Sequence, residues 1–165
     1  SRGLGDVYKR QIYKEVIRYE ENQIKLGEYA TNFGLFFRKG LTNSESPYYM
    51  EYELDYPSYE EIVENIHNAG GKAFLAHPFE YKFENTIEFI DDIRKIRELD
   101  GIECYHPSAE EDNRITTLKE YARKNNLYIS GGSDYHGSPK PDIEIATGKG
   151  SLQIPKEVVE EWHRD

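Results

Sequence analysis

From residue 57 onward, apolar residues return every three or four positions and are punctuated by short apolar runs. Ile62, Val63, Ile66 and Ala69 fall on one face of a helix. Ser58 stands at the N-cap position and Glu61 follows three residues later, the spacing of a capping box, while Gly70-Gly71 supplies the stop. Lys72–Ala76 reads as a strand. A second helix is expected over 85–99, with Ile87, Ile90, Ile93 and Ile96 inward. The Asp100-Gly101 turn leads into a strand at Ile102–Tyr105. A third helix is expected over 111–125, carrying Ile115, Leu118, Tyr121 and Ala122, and Asn125-Asn126 breaks it before a strand at Leu127–Ser130. Ile143–Ala146 predicts a short fourth strand, and Pro155 opens a last helix to Trp162. Helices between successive strands imply right-handed crossovers and a parallel sheet, so the fold class is α/β with outer helices.

The earlier part is less regular. Residues 11–26 predict a helix with Ile12, Val16 and Tyr19 on one face. Residues 27–57 are rich in Gly, Asn, Ser and aromatics, with Phe33–Arg38 as a short helical or apolar docking segment. Residues 1–10 lack an initiator Met and show no periodicity; they resemble a translated adaptor and are expected to be a non-native scar.

Composition narrows the possibilities. A length of 165 residues allows one domain with a real core, and 13% aromatic content argues against disorder. The net charge of -10, with no long Lys/Arg block, argues against duplex binding by charge alone. A cation-loaded site would still attract an anionic substrate, because a bound metal dominates its local field. The single Cys104 excludes an internal disulfide and fits a reducing, cytoplasmic setting. No apolar run is long enough for a spanning helix, and residues 1–10 lack the apolar stretch of a signal peptide.

Chemistry-bearing residues cluster at the predicted strand ends: His77 after the first, Glu103 and His106 in and after the second, Asp134 and His136 after the third. Open parallel sheets place their sites there, and carboxylate plus imidazole suits a divalent metal. Each residue has a plainer reading. Asp134-Tyr135-His136 could be a capped turn, and His77 before Pro78 a hydrogen-bonded structural His. Glu103 either faces solvent on an edge or points into the mouth of the sheet. His106 reads as a substrate or metal contact or as a surface-loop His. Cys104 reads as a buried thiol, and His67 and His163 as surface residues. Asp91-Asp92 and Glu110-Glu111-Asp112 read as helix N-terminal charges. Gly131-Gly132 lacks the Lys-Ser/Thr ending of a phosphate-binding P-loop.

Ala76-His77-Pro78, Gly101-Ile102-Glu103-Cys104-Tyr105 and Gly132-Ser133-Asp134-Tyr135-His136-Gly137 together resemble the later motifs of the PHP (polymerase and histidinol phosphatase) family. The resemblance runs from about Pro57 to Thr147. It implies a distorted, TIM-like β/α barrel, here partial. Residues 57–165 would be its C-terminal part and 11–56 the tail of a helical insertion plus linker. It also implies up to three divalent metals (Zn, Mn or Fe) and metal-assisted hydrolysis of phosphate esters. By motif, His77, Asp134 and His136 would be metal ligands; in the mechanism this implies, Asp134 and His136 would be catalytic, His106 a conceivable catalytic proton donor or substrate-phosphate contact, and Glu103 a substrate contact.

The chain departs from the family pattern in two ways. No His precedes residue 57, so the opening His-x-His and Asp-His motifs are missing, and the chain is expected to be an inactive C-terminal portion of a longer enzyme. Phe79-Glu80 replaces a Gly-Arg that grips phosphate in nucleotide-hydrolysing relatives, and Ala109 stands where a His is common. The expected activity is that of a phosphatase or 5'-3' exonuclease on nucleotides or short single-stranded nucleic acids. A histidinol-phosphate-type small-molecule phosphatase and a non-catalytic remnant or binding domain stay open.

Overall fold

The computed structural model describes residues 2–49, 56–138 and 140–162. His163 and residues 50–55 of the expected insertion and linker lie outside the described residues. The chain divides into two compact units, residues 1–55 and 56–165. Among the described residues no helix is long and apolar enough to cross a membrane.

The first unit is helical. α1 (Arg2–Ile17) and α2 (Glu20–Leu26) replace the single expected helix, and they break at Tyr19, whose backbone is extended. α1 also reaches back through residues read as aperiodic; once a helix is nucleated, each added residue costs little. Ile12 and Tyr19 are exposed. The inward contact is made instead by Tyr13, whose ring meets Phe33 and Phe36 at 6.0 and 5.3 Å and whose hydroxyl donates to the Ala30 carbonyl. Phe36 is buried within the π-helical segment Leu35–Leu41.

The second unit is α/β. Three strands, β1 (Phe74–Leu75), β2 (Gly101–Tyr105) and β3 (Tyr128–Gly131), form a parallel sheet in the order β1-β2-β3. α3 (Tyr59–Asn68) precedes β1, α4 (Thr86–Ile96) joins β1 to β2, and α5 (Arg114–Lys124) joins β2 to β3. The capping box at α3 is complete: Ser58 Oγ accepts from the Glu61 N–H, and Glu61 Oε2 accepts from the Ser58 N–H. Ile90, Ile102, Cys104, Leu118, Ala122 and Leu152 are the heart of the core, and Val63, Ala73 and Leu99 form a smaller cluster beneath α3. Burial pushes the Cys104 thiol up to about 12, so it packs as a small apolar group.

Several sequence expectations shift. Ile62 and Ile96 are exposed; α4 ends at Ile96, because Arg97 turns to an extended conformation. Asp91 and Asp92 lie within α4 rather than at its start. Asp91 there accepts from the Tyr121 hydroxyl on α5, and Asp92 pairs with Lys95. His67 is half-buried and meets Asp100 Oδ2 at 2.7 Å, and the same oxygen accepts from the Ala73 N–H at 2.6 Å. A side chain thus takes up backbone bonding at the start of β1, which shortens the strand. Ile143–Ala146 gives one antiparallel bridge, Glu144 to Gly148, because Ala146 and Gly148 turn left-handed there. The last helix, α6 (Glu157–Glu160), is one turn long.

Candidate active site

The three parallel strands deliver their polar followers to one end of the sheet. His77 follows β1 in a left-handed conformation (φ 34°), and Asp134 follows β3 at φ 59°. Such backbone is uncommon outside glycine, and Asp and His tolerate it better than most residues. In both places the chain turns sharply as it leaves its strand. Strain of this kind at strand ends is a pointer to function.

Glu103 ties two of these ends together. It lies in β2, at an irregularity in the pairing with β3 between Glu103 and Tyr105. Its Oε2 accepts from the His77 N–H at 2.6 Å. Its other oxygen fills the space a Cβ on Gly132 would need, at 2.4 Å. Glycine at 132 is therefore what lets the carboxylate sit between the first and third strand ends. Burial, with repulsion from Asp134, pushes the Glu103 carboxyl up to about 7 against the opposing hydrogen bond from His77.

His106 is buried, and its ring lies 5.3 Å from that of His77, centroid to centroid. The Ser108 N–H donates to His106 Nδ1 at 3.1 Å. Nδ1 is therefore the acceptor, and the neutral ring carries its proton on Nε2. Burial, and then the neighbouring His77, hold the ring below the ordinary His value, which favours that neutral form.

At the third strand end, Lys140 Nζ donates to Asp134 Oδ2 at 2.6 Å, while the other Asp134 oxygen lies 3.7 Å from His136 Nδ1. The His136 side chain is almost wholly buried, and its Nδ1 faces the Asp134 carbonyl, which can only accept. Nδ1 must then be the donor. His77, Glu103, His106 and Asp134 thus share one neighbourhood, since each interacts electrostatically or by hydrogen bond with another of the set. His136 adjoins it through Asp134.

The fit to a divalent metal is good in donor type. His77 Nδ1 is buried with no hydrogen-bond partner among the described residues, and an orphaned ring nitrogen suits a cation. Carboxylate and imidazole are also the right donors for a hydrolytic metal. In number the fit is incomplete: among the described residues no group of three or more His, Cys, Asp and Glu is gathered to hold an ion.

Two contributors were missed from the sequence. Lys140 reaches Asp134 because the chain turns back on itself, with the Lys140 N–H bonded to the Gly137 carbonyl. Glycine and two nearby prolines were the available signal. Ser108, two residues after His106 in a Pro-initiated turn, sets the His106 tautomer.

No protein-family model matches the chain. It is similar to named 5'-3' exoribonucleases. It is 30% identical over 148 residues to one from Haemophilus influenzae, covering 88% of this chain and 50% of the relative. It is 28% identical over 142 residues to Rnm of Escherichia coli, covering 81% and 43%. With Rnm of Salmonella typhimurium it shares 32% identity over 109 residues, covering 62% and 34%. The chain spans half the length of these relatives or less. Its fold is similar to that of a chain from Bifidobacterium adolescentis provisionally described as a metal-dependent phosphoesterase, with a TM-score of 0.56, 23% identity, and coverage of 93% of this chain and 48% of the other. The chain is thus similar to 5'-3' exoribonucleases over part of their length, and to a solved phosphate-ester-hydrolase candidate in its fold.

Proposed function

We propose that the protein containing this chain is a metal-dependent phosphoesterase that hydrolyses RNA or short single-stranded nucleic acid from its 5' end. The observation that carries this reading is the meeting of His77, Glu103, His106 and Asp134 at the carboxyl ends of three adjacent parallel strands. The 5'-3' exoribonuclease relatives supply the substrate class. In this reading the sheet is one arc of a distorted β/α barrel, residues 57–165 belong to that barrel, and 11–56 are the tail of an insertion and a linker.

Each residue then has a role. His77 Nδ1, the Asp134 carboxylate and the His136 imidazole are the groups offered to divalent ions, and ligands outside these residues complete the set. Divalent ions supply the charge that polarises the phosphoryl oxygens. Glu103 positions His77 through its backbone N–H. His106, neutral and with Nε2–H available, donates to a phosphoryl or leaving oxygen. Lys140, which pairs with Asp134, would be free to bind a substrate phosphate if a cation took that carboxylate.

The test compares this chain with a longer version carrying residues upstream of it, both supplied with Mn²⁺, on a 5'-phosphorylated oligoribonucleotide. The longer form turns over, and His77→Ala or Asp134→Ala lowers its kcat/KM by about 100-fold or more, since loss of an outer-shell partner alone costs about 10–100-fold. This chain by itself stays near background. A longer form that is folded and inactive overturns the reading.

A further inference from the structure

Two clefts share Pro107 in their linings. One, of about 420 Å³, is lined by Asp134, Lys140, Asp142 and Lys149 and adjoins the Asp134 end of the site. The other, of about 430 Å³, runs between the Pro78–Tyr81 turn after His77 and the Pro107–Ala109 turn after His106. Its charged lining is balanced: Lys82 and Arg114 face Glu80 and Glu111.

Its walls are aromatic. Phe83 stacks on Phe89 at 4.2 Å, yet is 48% exposed, so a large part of its surface stays open. Phe79 carries the Arg114 guanidinium 5.0 Å from its ring centre. That guanidinium is held in place, donating to the Ser108 carbonyl at 3.1 Å and to Asp112. Tyr81, also partly exposed, links this wall to the site: its ring lies 5.8 Å from His77 and 6.1 Å from Phe83. Ser108, which fixes His106, lines the same cleft. Beyond Phe83, a depression lined by Glu84, Glu88 and Asp92 would repel a phosphate backbone running on past the ring.

We propose that this second cleft binds one nucleobase of the substrate, with Phe83 as its stacking face and the Arg114 and Glu111 side chains at its polar edges. The proposal rests on the nucleic-acid phosphoesterase reading and names its base subsite. Every base has a π-face, so stacking of this kind tolerates sequence, and a pocket with one base in it and an acidic wall behind suits a terminal nucleotide.

The test is equilibrium binding of two probes to this chain without metal: adenosine 5'-monophosphate and ribose 5-phosphate, which differ only in the base. Adenosine 5'-monophosphate binds about 10- to 100-fold more tightly, the worth of one base–aromatic stack. Phe83→Leu brings the two within about twofold of each other. Phe83→Trp keeps the preference, and its added fluorescence is quenched by the nucleotide but not by the sugar phosphate. Equal affinities in the parent chain, no binding of either probe, or a preference that survives Phe83→Leu overturns the base subsite. Phosphate release from ribose 5-phosphate by the longer protein is scored separately. Hydrolysis without base preference leaves the phosphoesterase standing and removes the subsite; base preference without hydrolysis of any ester does the reverse.

Discussion

Glu103 shows most clearly how one side chain sets the electrostatics of the strand ends. Its carboxyl is buried, bonded to the His77 N–H and facing Asp134, and it is pushed up to about 7 from an ordinary 4.5. In the unfolded chain the proton leaves near the ordinary value; in the folded chain it stays until about 7. Between those values the folded state binds more protons, so stability falls as pH rises. Without metal, Glu103 should therefore contribute a loss of about 2–3 kcal/mol of unfolding free energy across that window. Urea unfolding at several pH values measures it, and Glu103→Gln should flatten the profile. A parent profile that rises from mildly acidic to neutral pH with the same shape as the variant's would show that this carboxyl does not titrate as described.

At the level of elements, the fold rests on helix caps and on a narrow apolar seam. Ser58→Ala removes the acceptor for the Glu61 N–H and should cost about 1 kcal/mol, while Leu118→Ala, at a wholly buried position between α5 and the sheet, should cost about 2–5 kcal/mol. Denaturant midpoints read both, and equal costs would mean that the core does not centre on Leu118. These elements were legible because their signals are local: the capping box, the three-residue spacing of Ile87, Ile90 and Ile93, and the Asn-Asn break before β3. The edges were not. β1 is short because Asp100, 27 residues away, takes the Ala73 N–H, and Asp91 lies inside α4, where a tyrosine of α5 donates to it. The expected fourth strand failed because left-handed residues turn the chain back after one bridge. At the site, residue types and strand ends could be read from motif, but Lys140 on Asp134, Ser108 on His106 and the Glu103–Gly132 fit depend on tertiary approach.

On the scale of the whole molecule, the two units differ in kind. The first is a helical piece held by aromatic contacts around Phe36, and the second carries the sheet and every candidate ligand. The second unit offers donor atoms of the right chemistry, while no three of them among the described residues make a metal site alone. The central claim is that the atoms on offer, at His77, Asp134 and His136, are there to take a divalent cation. The direct measurement is a titration of this chain with Mn²⁺, followed at the histidine ring resonances by NMR, where paramagnetic broadening reports weak binding as well as strong. The account predicts that the His77 and His136 rings broaden first, and that Asp134→Asn raises the Mn²⁺ concentration needed by about 10-fold or more. Broadening that falls equally on His67, or that is unchanged by Asp134→Asn, would contradict it.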